Sequence, residues 1–394
     1  MLTRIVDRNK CNACEACAVT CPVNAIEFKV DNNGFFFPEI NELMCIKCGK
    51  CGKVCPVQKQ EPIRNIEYND TESYAAYIDD LNILKVSSSG GIFTALAKEA
   101  IDQGMIVCGV VYSNDFKEVK YTTSIESSID QMRGSKYVTA RKYDIYSRVK
   151  ELLAFGQKVF FFGLPCEVAA LYSFLGVKED NLITCELICA GPSSYSLLYA
   201  QQDYLKQKYR SEITDFTFRD KIYGWVPYAI SVKFSNNKCY KKIFDDTIFG
   251  VGMKHIKRTA CYDCYFKDVF RVADITIGDF WKIDKTSAYY NENGTSVVFA
   301  RTKKGKEIIE NSSDMVWYKV ESCKAIDGNL RQLKFKDTVP ITREEYLAVL
   351  KTGNIKDIAN KFVNHRSIIQ RIKYSLPVPV FNFLRRVSSR RRKG

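Results

Sequence analysis

A mixed α/β protein behind a small cysteine-rich domain is the fold that the sequence predicts, and three observations predict it. Eight of the 16 Cys fall within the first 55 residues, in two similar runs. From Ser73 onward, short apolar runs alternate with amphipathic stretches at helical spacing, the pattern of a sheet with helices packed on its faces. Between the two regions, residues 59–71 (KQEPIRNIEYNDT) are polar and carry Pro62, which reads as a linker.

The elements follow in order. AAYI at 75–78 reads as a strand. Phe93, Leu96, Ala97, Ala100 and Ile101 fall on one face of a helix that follows Gly91. MIVCGVVY at 105–112 is β-rich, 144–155 is helical, and VFFFG at 159–163 is a buried strand. A helix at 167–175, a strand at 181–188 and a helix at 194–209 continue the alternation. Strands are expected at 213–218, 229–234, 239–244, 274–280 and 296–302, and a helix from about Arg343. The expected division is two repeats at 1–31 and 36–65, α/β regions at 73–155 and 156–325, and a helical, basic tail at 340–394.

Composition narrows the function. Of 394 residues, 46% are hydrophobic and 26% charged, too apolar for a disordered chain. No run approaches the ~20 apolar residues of a membrane span, and the start, MLTRIVDRNKC, has no apolar signal region. A cytoplasmic protein is expected. The net charge is +14, but residues 358–394 hold ten Lys or Arg and no acid, which leaves +4 for the rest. A charge so localised is not the footprint of a nucleic-acid-binding body.

Cys11, Cys14, Cys17 and Cys21 with Pro22 spell C-x2-C-x2-C-x3-C-P, and Cys45, Cys48, Cys51 and Cys55 with Pro56 repeat it. A reducing cytosol disfavours disulfides, and soft thiolates suit iron–sulfur clusters or zinc. Structural zinc needs neither the triplet nor the Pro. In two-cluster ferredoxins the fourth Cys of each run serves the other cluster. One [4Fe–4S] cluster is therefore assigned to Cys11, Cys14, Cys17 and Cys55, and a second to Cys45, Cys48, Cys51 and Cys21. The small domain reads as a bacterial two-cluster ferredoxin.

Eight further Cys remain. Cys261 and Cys264 form C-x2-C, while Cys166 (GLPCEVAAL) and Cys189 (ELICAGPSS) follow predicted strands. Ligands gather at the carboxyl ends of strands in open α/β sheets. These four thiols suit a third [4Fe–4S] cluster, or a zinc knuckle at 261/264 with 166 and 189 as core thiols; spacing alone leaves both open. Cys108, Cys185, Cys239 and Cys323 read as small buried hydrophobes. Ser87, Ser88, Ser89, Gly90 and Gly91 precede a helix, with Ser as its cap and free N–H groups facing outward, a phosphate site or a plain cap. Arg133, Gly134, Ser135, Lys136, Tyr137 and Val138 form a second Gly-Ser turn with two cations. His255 and His365 are isolated and read as structural or surface residues.

In combination, SSSGGIFTALA, GSKYV, FFGLPCEVAAL, LITCELICAGPSS, FRDK…GW, CYDCYFK and ADITIGDFW resemble the coenzyme F420 hydrogenase/dehydrogenase beta-subunit family from about Ser73 to Phe299. The resemblance implies a flavoprotein that binds FAD and a [4Fe–4S] cluster and passes electrons between reduced F420 and iron–sulfur partners. It favours the third cluster at Cys166, Cys189, Cys261 and Cys264. It also makes Ser87–Gly91 and Gly134, Ser135, Lys136 and Tyr137 FAD-binding candidates, with Arg219, Lys221 and Trp225 lining the site. No general acid or base can be named. Two positions depart from the family's usual pattern: Cys189-Ala190-Gly191 stands for C-H-G, and Pro165-Cys166-Glu167 for P-C-Q.

The expected function is a flavin-dependent iron–sulfur oxidoreductase with a small-molecule donor or acceptor and a redox partner protein or subunit. A non-enzymatic electron relay is the alternative. The tail at 375–394 puts Val380, Phe381, Phe383 and Leu384 before six cations. It reads either as a solvated end or as a peripheral contact with the inner face of the cell membrane or with an acidic partner.

Overall fold

The computed structural model describes residues 5–59, 71–177, 179–267 and 272–353, and beyond these positions 358, 361, 362, 376 and 381. Most of the expected linker, His365 and nearly all of the basic tail lie outside the described residues.

The cysteine-rich domain is built on one antiparallel hairpin, β1 (Ile26–Val30) and β2 (Phe36–Ile40), with Ile26 opposite Ile40. Asp31 shapes the turn by accepting from the Asn33 and Phe35 N–H groups at 3.0 and 2.9 Å. Short helices Ala16–Val19 and Lys50–Val54 carry Cys17 and Cys51 and follow left-handed residues Glu15 and Gly49.

The second domain holds an eight-stranded sheet. Its strands are β3 (Glu72–Ile78), β4 (Ile106–Tyr112), β5 (Val119–Thr123), β6 (Val159–Gly163), β7 (Leu182–Leu187), β11 (Ile275–Asp279), β12 (Ser296–Ala300) and β13 (Met315–Lys319). β8 (Ile213–Asp220), β9 (Ala229–Phe234) and β10 (Cys239–Ile243) form a separate antiparallel sheet. The large sheet runs β13-β3-β12-β11-β7-β6-β4-β5, and β4, β6, β7 and β11 are mutually parallel. β6 is buried along its whole length, as a central parallel strand with both faces covered requires.

Alternation along β6 sends Phe160 and Phe162 to one core and Phe161 to the other. The first core takes Leu96 and Ala97 of the helix Ile92–Asp102 and Ile308 of Lys303–Asn311. The second takes Val168 and Leu171 of the helix Pro165–Leu175 together with Ala16, Cys17 and Val54 of the cysteine-rich domain. The two domains thus share one core. Ser173 Oγ donates to the Val54 carbonyl at 2.7 Å, and Tyr146 OH to that of Cys14 at 2.8 Å.

Three expectations are corrected. Cys239 and Cys323 are exposed rather than buried, on an edge strand and a short surface helix, while Cys108 and Cys185 are core thiols. Phe381 is 2% exposed and packs edge-on to Tyr223, with ring centroids 5.2 Å apart, so it is not free to enter a membrane surface. Ser87 does not cap the helix that follows but closes the preceding one, Leu81–Val86; Gly91 is the cap residue of Ile92–Asp102, with no side-chain cap bond. Among the described residues no helix is long and apolar enough to cross a membrane.

Candidate redox site

The carboxyl end of the parallel strands is where the internal cysteines meet. β6 ends at Gly163, and the helix Pro165–Leu175 starts at once with Pro165 in its first turn, a position where the fixed φ suits a helix. Cys166 therefore sits at the mouth of the sheet. Cys189 lies two residues beyond β7. Cys261 closes the short turn Thr259–Cys261, and Cys264 follows three residues later. One cavity is lined by Cys166, Cys189, Cys261 and Cys264, with Asn12 of the cysteine-rich domain at its edge.

Gly191 fits the chain around that cavity. Its φ is +97°, and a Cβ there would lie 2.7 Å from Cys261 Cβ and 3.4 Å from Cys261 Sγ. Its N–H donates to Cys189 Sγ at 3.3 Å. Burial raises the Cys166 thiol well above its usual range, with Glu167, Cys264 and Cys189 adding to it against the pull of Lys142. Burial leads at Cys261 too, followed by Cys264 and Cys189. Thiols raised in this way at Cys166 and Cys261 ionise only against a cationic group, and with Cys189 and Cys264 on the same cavity they offer the donor set of an iron–sulfur cluster. Among the described residues no three His, Cys, Asp or Glu side chains close to the spacing of a single metal ion.

In the cysteine-rich domain, Cys11, Cys17 and Cys55 are buried and Cys14 is half-buried. Burial pushes the Cys14 thiol up to about 12; a backbone hydrogen bond to Ala16 opposes this, and Cys55 and Cys11 add to it. The second run is more open: Cys45 and Cys51 are half-buried and Cys48 is exposed. Leu43, Met44 and Ile46 beside it are exposed, Leu43 to 99%. Cys21 Sγ accepts from the Ala25 N–H at 3.2 Å.

Charged side chains that sequence reasoning missed lie between the first run and the internal cavity. Lys142 and Glu167 form an ion pair at 2.8 Å, both wholly or nearly out of water. Lys142 Nζ also donates to the Ala13 carbonyl at 3.0 Å, and its N–H to Glu15 Oε2 at 3.1 Å. Glu15 in turn takes Arg141 Nε at 2.8 Å. Arg258 donates to the carbonyls of Cys11 and Phe36 at 3.3 and 2.8 Å. The only sequence signal was a charge beside a Cys: Glu167 next to Cys166, and Arg258 three residues before Cys261. Asp337 braces the loop of Cys261 and Cys264 from outside, accepting from Lys257 and Arg331, with Lys267 3.6 Å away.

The two Ser/Gly segments meet each other. Ser88 and Ser135 hydroxyls are 2.9 Å apart, and Ser135 N–H donates to Ser88 Oγ at 2.9 Å. The expectation of outward N–H groups fails at Gly90, whose N–H donates to Ser296 Oγ at 3.0 Å. A Cβ on Gly90 would lie 2.4 Å from the Ala76 carbonyl oxygen, so this glycine serves the sheet behind it. Ser87 likewise turns inward, to the Ile83 carbonyl at 2.8 Å. A Cβ on Gly91 would strike Ile78, whereas one on Gly134 would stand in open space.

Two lysines sit at this junction. Lys136 Nζ donates to the carbonyls of Met132, Arg133 and Gly134 at 3.0, 3.2 and 3.3 Å. Lys221 Nζ donates to those of Leu84 and Ser89 at 2.7 and 2.6 Å. Neither makes an ion pair among the described residues. Burial pushes both ammonium groups down to about 7, with Arg219 adding at Lys221. Two ammonium groups with carbonyl partners and no counter-charge suit an anionic group such as a pyrophosphate. Arg219 is clamped on Asp279 at 2.6 and 2.9 Å, and Trp225 Nε1 donates to the same carboxylate at 2.8 Å. Tyr137 packs edge-on to Phe218, 5.4 Å between centroids. His255 is structural, stacked on Tyr346 and bonded to Thr342 Oγ1 at 2.7 Å.

Residues 156–325 match the family model for the C-terminal region of the coenzyme F420 hydrogenase/dehydrogenase beta chain, and residues 73–143 match its N-terminal counterpart. Residues 10–59 match a 4Fe-4S dicluster domain. The chain is 24% identical over 328 residues to one of the subunits of the F(420)H(2) dehydrogenase of Methanosarcina mazei, covering 79% of this chain and 85% of that one. It is 26% identical over 204 residues to an uncharacterized protein of Methanocaldococcus jannaschii, covering 45% and 56% of the two chains. A chain of the F420-reducing [NiFe] hydrogenase complex from Methanosarcina barkeri superposes with a TM-score of 0.45 at 20% identity, covering 74% of this chain and 91% of that one.

Proposed function

Because the chain belongs to the coenzyme F420 hydrogenase/dehydrogenase beta-subunit family, with an N-terminal 4Fe-4S dicluster domain, we propose that it is an FAD-dependent oxidoreductase that exchanges electrons between a small two-electron carrier and a protein partner. The carrier is F420-like, a deazaflavin, and the partner is another member of a multi-chain redox complex; the name of the Methanosarcina mazei relative supports both. The observation that carries the reading is the gathering of Cys166, Cys189, Cys261 and Cys264 on one cavity at the carboxyl end of the sheet.

Three [4Fe–4S] clusters are assigned: to Cys11, Cys14, Cys17 and Cys55; to Cys45, Cys48, Cys51 and Cys21; and to the four cavity cysteines. Clusters supply one-electron conduction, and a flavin supplies the exchange of electron pairs for single electrons. Ser88, Ser89, Gly134 and Ser135 are the residues read to hold the FAD phosphates, with Lys136 and Lys221 supplying charge. Ser87, Gly90 and Gly91 hold that loop against the sheet, and Tyr137 walls the junction. Asp279 keeps Arg219 and Trp225 in place. The shared core packs Cys17 and Cys55 of the first cluster set with Val168 and Leu171 of the helix that carries Cys166.

The test is anaerobic. Protein released with its flavin intact is mixed with reduced F420 and methyl viologen, a one-electron acceptor. Viologen reduction that disappears in the Ser88→Asp variant is expected, because a carboxylate there repels phosphate. Protein that carries iron and sulfide but no flavin would make it a relay instead.

A further inference from the structure

Arg258 is the largest side chain fully removed from water among the described residues, at 1% exposure. Its guanidinium reaches the cysteine-rich domain, with Nη1 on the Cys11 carbonyl at 3.3 Å and Nη2 on the Phe36 carbonyl at 2.8 Å. The plane lies near the rings of Phe37 and Phe35, 4.7 and 5.4 Å from their centroids. Nε has no hydrogen-bond partner. Among the described residues no carboxylate comes within ion-pair distance; Asp31, the acid acting on it from further off, is paired with Arg8 at 2.9 Å.

An arginine stays protonated in proteins, and a buried cation without a counter-charge costs several kcal/mol. Neutral carbonyls and ring faces offset only part of that. The backbone of the same residue holds the other cysteine loop: Cys261 N–H donates to the Arg258 carbonyl at 2.9 Å, and the turn Thr259–Cys261 begins directly after it. One residue thus ties the Cys11 loop to the Cys261 loop, with its charge between them.

We propose that Arg258 is a counter-ion shared by the cluster at Cys11, Cys14, Cys17 and Cys55 and the cluster at Cys166, Cys189, Cys261 and Cys264, and that it raises the reduction potential of both. The inference rests on the reading that these two cysteine sets hold [4Fe–4S] clusters. A cluster on four thiolates is anionic and gains one more negative charge when it takes an electron. A fixed cation stabilises the reduced form more than the oxidised one, and a dry setting strengthens the effect. Arg258 neither gives nor takes a proton or an electron. The thiols that act most strongly on Arg258 are Cys11, Cys261 and Cys166, and none belongs to the second run, whose Cys48 is exposed. Arg258 is a positioning residue whose role is electrostatic.

The experiment is a potentiometric titration of anaerobically purified full-length protein, followed by electron paramagnetic resonance, with Arg258→Gln and Arg258→Lys beside the wild type. Site-specific signals are assigned by removing one cysteine from each set. Arg258→Gln is expected to weaken reduction about tenfold at the first and internal clusters, ~59 mV for one electron, and to leave the second cluster unmoved. Arg258→Lys keeps a charge and is expected to stay near the wild type. Unchanged potentials, or equal shifts at all three clusters, overturn the proposal. If Arg258→Gln assembles no clusters, the lysine variant decides: potentials kept without the planar stacking support the charge, and potentials lowered at both clusters refute it. Wild-type protein without iron at Cys166, Cys189, Cys261 and Cys264 would instead sink the underlying assignment and the proposal with it.

Discussion

Lys142 Nζ and Glu167 Oε1 stand 2.8 Å apart, and neither side chain has meaningful access to water. Lys142 also holds the Ala13 carbonyl of the cysteine-rich domain, while Glu167 adjoins Cys166 and accepts from Tyr121 OH and the Leu164 N–H at 2.7 and 2.8 Å. The pair joins the two domains behind the candidate clusters. It also gives a physical reason for an acid directly after Cys166: its charge is matched within the same domain by Lys142, the side chain that reaches across the boundary to Ala13.

Removing one partner of a buried pair leaves the other charged and unmatched, at a cost of about 3–5 kcal/mol. Lys142→Met is therefore expected to lower the thermal midpoint strongly, and Lys142→Met with Glu167→Gln to restore much of the loss. Scanning calorimetry of the wild type and both variants checks this. A double variant as unstable as the single one contradicts the pairing.

Lys221 gives a pH dependence. Its ammonium is pushed down to about 7 in the folded protein against an ordinary value of 10.5. Between those limits the unfolded chain binds the proton and the folded chain does not, so stability rises with pH. Flavin-free protein should gain stability from about pH 7 upward, and Lys221→Met should gain less. Denaturation at several pH values reads the difference; equal slopes would refute the shift.

Much of this fold was legible because its central strands carry their own signal. VFFFG is apolar throughout, and β6 is buried throughout. The helix Ile248–His255 was not legible, because Gly250 and Gly252 argue against a helix. A Cβ at Gly250 would lie 1.8 Å from the Phe244 carbonyl oxygen, so packing overrode propensity. Edge strand β13 was missed for lack of alternation: Val316, Trp317 and Tyr318 are all half-buried. The two N-terminal runs announce themselves by spacing, whereas Cys166 and Cys189 stood out only by following predicted strands. Lys142 and Arg258 do neither, since their partners lie in distant parts of the chain: Ala13 and Glu167 for one, Cys11 and Phe36 for the other.

Gly191 offers a local test of the internal site. Its φ of +97° and the 2.7 Å between a Cβ and Cys261 Cβ leave no room for alanine. Gly191→Ala is expected to lower iron by about a third, one cluster in three, while the dicluster domain keeps its share. Iron analysis with spectroscopy of the remaining clusters measures it. Full iron content in the variant contradicts the placement of a cluster against Gly191.

Exposure orders the sensitivity to oxygen. Cys48 is exposed, whereas Cys11, Cys17 and Cys55 are buried. On brief exposure to air, the signal that Cys48→Ala removes should decay first, and the one that Cys11→Ala removes should outlast it. Simultaneous loss in timed samples would show that burial does not protect the first cluster.

The central claim is that the cavity at the carboxyl end of the sheet holds a third [4Fe–4S] cluster. Iron, acid-labile sulfide and zinc measured together on anaerobically purified protein test it most directly. A third cluster predicts about 12 iron and 12 sulfide per chain, four of each per cluster, with no zinc. About eight iron per chain, with zinc that is lost in the Cys261→Ala variant, would contradict it.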